Sequence, residues 1–168
     1  MIIRNADGND FEAVREITQT TIKEVYPKYY PEGAVRYFSE HHSDEAILRD
    51  INAGTVYVLE DEESNYAGTV TVSGNEILRL FVLPEYQHLG YGKALMDLAE
   101  ETIAENYDTV VIDASLPAKK IYLLRGYHET GYNVIDTGYG DYLCYDKMEK
   151  RFDQHEYLQY REDIEWTV

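Results

Sequence analysis

The spacing of apolar residues changes once along this chain, near Gly54, and that change most constrains the fold. Before Gly54, apolar residues such as Phe11, Val14 and Ile17 recur at helical spacing, which predicts helices that pack by one face. After Gly54, runs rich in β-branched and aromatic residues are separated by short turn signals, over residues 55–60, 66–74 and 76–83. Strands joined by such short turns pair with their neighbours in antiparallel fashion. The sequence therefore predicts an antiparallel meander preceded by helices and, over residues 1–6, by a short first strand.

The rest of the chain alternates between helix and strand. An amphipathic helix is predicted over residues 90–107, a buried strand over 109–114 and another helix over 116–126. Two further strands, over residues 127–135 and 141–148, predict a long hairpin. Together these segments predict an α+β fold, a mixed α/β architecture in which a central, mostly antiparallel sheet carries helices on both faces.

Capping residues predict where the early helices begin and end. Asn9 and Glu12 resemble a capping box at the start of the first helix. A second, shorter helix is predicted over residues 34–42. Ser43 is the expected N-cap of a third helix, and Gly54 is its expected stop.

The charge balance limits the partners that this chain can bind. It has 32 acidic and 15 basic residues, for a net charge of −17. Nucleic acids and anionic membranes are held by clustered Lys and Arg, so neither is expected as a partner. An acidic surface favours an amine-bearing partner, although it also serves solubility alone.

Cysteine and histidine usage adds expectations about location and metals. The single cysteine, Cys144, can form no internal disulfide, which is typical of a cytoplasmic chain. The first residues lack the pattern of a signal peptide, and no apolar run is long enough to span a membrane. The five histidines show no metal-ligand spacing, so no metal is predicted.

Two glycines, Gly90 and Gly92, stand between a predicted strand and a predicted helix, a place where backbone N–H groups commonly bind phosphate. One interpretation is a dinucleotide site of the Rossmann kind. That site requires a third glycine where Leu95 stands, and parallel strands before the turn. The other interpretation is a site for the pyrophosphate of coenzyme A.

The residues of this turn favour the second interpretation. Gln87-His88-Leu89-Gly90-Tyr91-Gly92 matches the signature Q/R-x-x-G-x-G/A and resembles the acetyl-CoA site of the GCN5-related N-acetyltransferases, the GNAT superfamily. The resemblance extends over residues 2–148 and implies one N-acetyltransferase domain over residues 1–148, with the splayed sheet of that family. It implies acetyl-CoA as co-substrate, with the pyrophosphate bound by Gln87, His88, Leu89, Gly90, Tyr91, Gly92 and Lys93.

A second motif lies in register with the first. Ala118, Tyr122, Gly126 and Tyr127 match the later motif of the family, and the resemblance implies that Tyr122 protonates the departing thiolate. The alternative is a tyrosine that only packs its helix on the sheet. The resemblance also implies that Ser115 and Ala118 lie along the pantetheine arm. Backbone groups for the arm and the thioester carbonyl are implied at Leu80, Phe81 and Val82.

A general base is implied at Glu76, because a strand glutamate at this spacing is the base in the histone-acetylating branch of the superfamily. Two alternatives stay open from the sequence. A water relay removes the proton in many relatives, and a glutamate after the turn at Gly74 also suits a solvated role.

The acceptor is expected to be a primary amine on a small molecule or a peptide. Aromatic residues between the first two helices either line an acceptor pocket or pack as a loop: Tyr26, Tyr29, Tyr30, Tyr37 and Phe38. A function from another class is an acyl-CoA-binding or sensing domain without turnover, and Tyr122 in register favours the enzyme over it. Residues 149–168 extend past the resemblance and are expected to dock on the domain or on a partner subunit of a homodimer.

Overall fold

The computed structural model describes residues 1–152, and apart from one short strand at the start its strands follow the change of apolar period. In chain order the elements are β1 (Ile2–Asn5), α1 (Phe11–Val25), α2 (Glu32–His41), α3 (Asp44–Asn52), β2 (Val56–Glu60), β3 (Tyr66–Ser73), β4 (Glu76–Val82), α4 (Tyr91–Ala104), β5 (Thr109–Ala114), α5 (Leu116–Leu124), β6 (His128–Asp136) and β7 (Tyr142–Arg151). Short 3₁₀ helices occupy Gly8–Asp10, Tyr26–Lys28 and Pro84–Tyr86. The predicted elements are all present, with ends that shift by a few residues.

The strands form one sheet in the order β1-β2-β3-β4-β5-β7-β6. Every neighbouring pair is antiparallel except β4 and β5, which run parallel. The parallel pair arises because α4 carries the chain across one face of the sheet between these two strands. The predicted α+β class, with a mostly antiparallel sheet, is confirmed.

The two faces of the sheet carry separate apolar clusters. On one face α4 and α5 pack through residues such as Leu95, Ile103 and Tyr122. On the other face α1, α2 and α3 pack through residues such as Ile17 and Ile47. Helices therefore lie on both faces, as the sequence predicted, because the apolar stripe of each helix has only the sheet to cover it.

The capping box at the first helix was predicted at the wrong residues. The Asp7 carboxylate accepts the N–H of Asn9, and the Asp10 carboxylate accepts the N–H of Asp7, both at 2.8 Å. The box moves upstream because the chain enters α1 through a turn of 3₁₀ helix, and because Arg4 holds the Asp10 carboxylate at 2.8 Å. The predicted Ser43 cap is confirmed, since its hydroxyl accepts the N–H of Ala46 at 3.3 Å.

The last strand runs further than the sequence predicted. β7 pairs with β5 as far as Arg151, opposite Thr109, instead of ending at residue 148. The extension that was predicted to dock begins at residue 149, but residues 149–151 belong to β7. Residues 153–168, which carry the rest of that prediction, lie outside the described residues.

Candidate active site

The sheet opens between β4 and β5, and this opening builds the candidate site. The two strands pair only at Glu76 with Val111 and at Ile77 with Ile112. On the other side of β4, Arg79 lies opposite Thr71 and Ile77 opposite Val72, which leaves Leu78 as an extra residue in the ladder. Such a β-bulge bends a strand, and this bend comes directly after the last pair with β5. The bulge therefore separates β4 from β5 beyond Ile77. We call the resulting gap the fork.

Backbone groups of β4 line the fork on one side. The carbonyl of Phe81 faces β3, so it belongs to the antiparallel ladder. Because backbone groups alternate in direction along a strand, those of Leu80 and Val82 face the fork. The Val82 carbonyl already accepts hydrogen bonds from the Gln87 side-chain amide at 3.1 Å and from the Thr21 hydroxyl at 3.3 Å. Of the three residues implied by the resemblance, Leu80 and Val82 therefore have backbone groups that face the fork, and Phe81 does not.

The glycine turn follows the end of β4 and leads into α4. His88 has a φ of 64° and Gly90 a φ of 90°, and Gly90 is the N-cap of α4 without a side-chain hydrogen bond. Residues alternating into the left-handed region turn successive N–H groups inward, as in anion-binding nests. No acidic residue occupies the first turn of α4, so the positive end of its dipole is not neutralised there. These features fit a pyrophosphate.

The remaining residues of the turn differ in exposure and contacts. The Leu89 side chain is exposed, and Tyr91 is half-buried with its ring 6.1 Å from that of Tyr86. A Cβ atom at Gly92 would lie 3.8 Å from the Val82 side chain, an ordinary contact, so packing within the chain does not require glycine there. The exposed Lys93 ammonium forms an ion pair with Asp97 at 2.6 Å. Its positive charge is thus partly neutralised within the helix.

Tyr122 lies on the inner face of α5 and is 6% exposed. Burial, followed by the neighbouring Tyr26, raises the pKa of its hydroxyl above the usual range, so the group stays protonated at neutral pH. Its ring is 5.6 Å from that of Tyr127. Ser115 is the N-cap residue of α5, and its side chain meets the Tyr26 hydroxyl instead of capping the helix.

One cavity of about 760 Å³ brings the predicted catalytic residues together at the fork. Its lining includes six of the residues that the sequence singled out: Glu76, Leu80, Phe81, Ser115, Ala118 and Tyr122. The residues of the glycine turn do not line this cavity and lie instead beyond the end of β4. This arrangement fits an extended ligand whose phosphate end lies at the glycine turn and whose reactive end lies in the cavity.

Glu76 is half-buried at the first pair of the fork. Burial raises the pKa of its carboxyl above the ordinary value, and the negative charge of Asp113 adds to this shift. Lys147 opposes the shift. A carboxylate with a raised pKa is a better proton acceptor near neutral pH.

The aromatic residues from Tyr26 to Phe38, of which Tyr37 and Phe38 lie inside α2, divide between the two expected roles. Tyr26, Tyr37 and Phe38 line the cavity. Tyr30 is 7% exposed and packs in the core, where its hydroxyl accepts the Leu116 N–H at 2.7 Å. Tyr29 is exposed. The segment is therefore neither all pocket nor all packed loop.

Sequence reasoning missed a buried polar group beside this cavity. The Arg79 guanidinium, which directly follows the bulge, pairs with Asp50 of α3 and donates to the Thr71 hydroxyl at 3.2 Å. The ring of His42 lies 5.6 Å from that of Phe81 and lines the same cavity. Only the fold brings α2, α3 and β4 together, and no motif marks these residues. A signal was present in Arg79 itself, a charged residue in an otherwise apolar strand.

Neither a metal site nor a membrane span is found in the described part. Within residues 1–152, no group of three or more His, Cys, Asp or Glu side chains is arranged to hold a metal ion. Over the same range, no helix combines the length and the apolar character that crossing a bilayer demands.

The fork, the uncapped helix start and the shared cavity define an acyltransferase that uses a coenzyme A thioester. A family model described as an acetyltransferase (GNAT) domain matches residues 25–157. The chain belongs to this family and is an acetyl-CoA-dependent N-acetyltransferase. The Rossmann interpretation is excluded, since antiparallel strands and not parallel units lead into the glycine turn.

Solved structures share this fold. A GCN5-related N-acetyltransferase from Rhodopseudomonas palustris superposes with a TM-score of 0.80 at 22% identity, covering 90% of this chain and 95% of that one. The PaiA N-acetyltransferase from Thermoplasma acidophilum, solved in complex with coenzyme A, has a TM-score of 0.71 at 22% identity, covering 90% and 98%. A curated relative, spermidine N(1)-acetyltransferase from Thermoplasma acidophilum, is 25% identical over 161 residues, covering 90% of this chain and 97% of the relative.

Proposed function

We propose that this protein moves the acetyl group of acetyl-CoA directly to a primary amine that is positively charged in solution. The observation that carries the proposal is the single cavity at the fork, which is lined by both Glu76 and Tyr122. A base and an acid on one cavity can serve the two proton transfers of acyl transfer to an amine.

The ammonium nitrogen must lose two protons before it becomes an amide nitrogen. Glu76 accepts a proton from the ammonium group, directly or through one water, because only the neutral amine is a nucleophile. The amine nitrogen then attacks the thioester carbonyl and a C–N bond forms. As the C–S bond breaks, the nitrogen releases its second proton to solvent, and solvent afterwards restores the proton of Tyr122 and takes up that of Glu76. Backbone N–H groups facing the fork near Leu80 and Val82 stabilise the developing negative charge on oxygen. Tyr122 donates its proton to the departing sulfur, and burial keeps that proton in place until then.

The remaining predicted residues bind the co-substrate. The turn over residues 87–93 is proposed to hold the pyrophosphate with backbone N–H groups. This choice suits a chain of net charge −17, because local amides attract an anion that the overall charge repels. Ser115 and Ala118 are proposed to lie along the pantetheine arm.

The acidic surface and the relative named as a spermidine acetyltransferase both support a cationic acceptor. Acceptor-dependent release of free thiol from acetyl-CoA tests the proposal, with cationic, neutral and anionic amines offered in parallel and the product mass recorded. We expect the fastest release with cationic amines. Slow thioester hydrolysis that no amine accelerates would instead identify a domain that binds acyl-CoA without turnover.

A further inference from the structure

Two carboxylates stand side by side at the fork. Glu76 pairs with Val111 across the two parallel strands, and Asp113 follows Val111 by two residues. Side chains two residues apart on a strand point to the same face, so Glu76 and Asp113 project from one face of the sheet. Both line the cavity that also holds Tyr122.

Two other acidic residues that line this cavity are already paired with arginine side chains. Asp50 is paired with Arg79 and with Arg49, and Glu40 is paired with Arg36. Within residues 1–152, neither Glu76 nor Asp113 takes part in an ion pair.

Three groups on β7 and α2 face Asp113. Burial raises the pKa of both carboxyls, and Lys147, which lies opposite Asp113 in the β5–β7 ladder, opposes that shift. Inside the described range Lys147 forms an ion pair with neither carboxylate. Tyr145 meets Asp113 through a hydrogen bond, and His41 is near enough for its charge to act on it. No ion pair inside the described range therefore neutralises the two carboxylates at the fork.

A second observation shows that the cavity presents groups to a ligand. The side chain of His42 is nine-tenths buried, at 8% exposure, and lines the cavity, yet its ring nitrogens form no hydrogen bond within residues 1–152. Burial, together with Arg79 and His41, lowers the pKa of His42 to about 3, so the ring is neutral. A neutral imidazole offers one acceptor and one donor. The His42 ring nitrogens, which have no partner in the described chain, are therefore free to bond a ligand in the cavity.

We infer that the acceptor carries a second ammonium group and that Asp113 binds it while Glu76 receives the reacting amine. Asp113 is then a specificity-determining residue, and the substrates are diamines or polyamines in preference to monoamines. The inference rests on the proposed function and adds to it the residue that selects the acceptor. Two carboxylates suit two ammonium groups, and the neutral His42 adds a polar contact without adding a repelling charge.

The test compares two amines of equal chain length, 1,4-diaminobutane and 1-aminobutane. The value of kcat/KM is measured for both with the parent protein, with Asp113→Asn and with Glu45→Gln. Asn keeps the size of Asp and removes its charge. Glu45 lines the same cavity and is fully exposed, so Glu45→Gln removes an equal charge from the same lining and serves as the matched control.

We expect the parent to prefer the diamine by about tenfold or more, and Asp113→Asn to reduce that preference by about tenfold, the size of one charge-assisted hydrogen bond. Glu45→Gln should change it by about twofold at most, as expected for a solvated charge.

An unchanged preference in Asp113→Asn, or an equal loss for both amines, would overturn the inference. If Glu45→Gln reduces the preference as much as Asp113→Asn does, the preference comes from the total negative charge of the cavity and not from a contact with Asp113, and the inference fails. If the parent acetylates neither amine nor any other cationic amine, the proposed function itself fails.

Discussion

At the scale of single residues, burial gives the Tyr122 hydroxyl the property that a general acid needs. Its raised pKa keeps the proton on the oxygen at every pH where the enzyme is expected to work. Replacing Tyr122 by Phe should lower kcat by about 10²-fold or more, the size of a lost general acid, with little change in coenzyme A affinity. Steady-state kinetics and calorimetric titration of coenzyme A measure the two quantities.

Tyr127→Phe is the matched control for that change. Tyr127 is also buried beside Tyr122, but its hydroxyl donates to Glu100 at 3.1 Å, outside the cavity lining. It should therefore lower stability by about 1 kcal/mol and leave kcat near the parent value. A fully active Tyr122→Phe would reduce Tyr122 to a packing residue.

Glu76 should reveal its role through the pH dependence of the rate. Because the pKa of Glu76 is raised, its carboxylate form is lost as the pH falls through that pKa. The amine also becomes protonated as the pH falls. Glu76→Gln should therefore depress kcat/KM most at the low end of about pH 6 to 10, where free amine is scarce. Towards the high end the deficit should shrink, because the amine arrives already neutral. A deficit that stays constant across this range would assign Glu76 to binding or structure.

At the scale of elements, the start of α4 depends on one glycine in the left-handed region. Gly90 has a φ of 90°, and no atom lies within 4 Å of an added Cβ. An alanine at this position would therefore strain the backbone without clashing with a neighbour. Gly90→Ala should cost about 1 kcal/mol of stability and weaken coenzyme A binding by about tenfold, since the N–H groups of the turn rotate away from the phosphates. Urea denaturation and calorimetric titration would measure the two effects.

The hairpin between β6 and β7 offers a glycine under the same constraint. Gly140 has a φ of 89° and likewise has no atom within 4 Å of an added Cβ. Gly140→Ala should lower stability by a similar amount and leave coenzyme A affinity unchanged. If the two variants weaken binding equally, the loss comes from general destabilisation and the turn has no special part in the site.

At the scale of the whole molecule, co-substrate binding should raise thermal stability. A ligand that binds only the folded state stabilises it by mass action, by about 2.7 kcal/mol at a concentration 100 times its Kd. For a chain of 168 residues this predicts a rise in Tm of about 5 to 10 °C with acetyl-CoA. Differential scanning calorimetry with acetyl-CoA, and separately with a nicotinamide dinucleotide, measures it. A rise with the dinucleotide but not with acetyl-CoA would show that the glycine turn binds a different cofactor.

Local patterns predicted the elements because their causes are local. The apolar period, the Ser43 cap and the stop at Gly54 act within a few residues, and each appears where it was expected. The capping box failed for a reason that is not local. The Tyr66 hydroxyl, on β3, donates to the Asp10 carboxylate at 2.6 Å and helps to hold it at the start of α1.

By itself, the sequence determined the α+β class, the order of strands and helices, and the turn from Gln87 to Lys93, since each depends on residues close together in the chain. The tertiary structure alone decided that the bulge at Leu78 separates β4 from β5. It alone brought His42 and Asp113, from different elements, into the cavity that holds Glu76 and Tyr122. Contacts and burial between distant segments depend on how the helices pack on the sheet, and the spacing of residues along the sequence does not determine that packing.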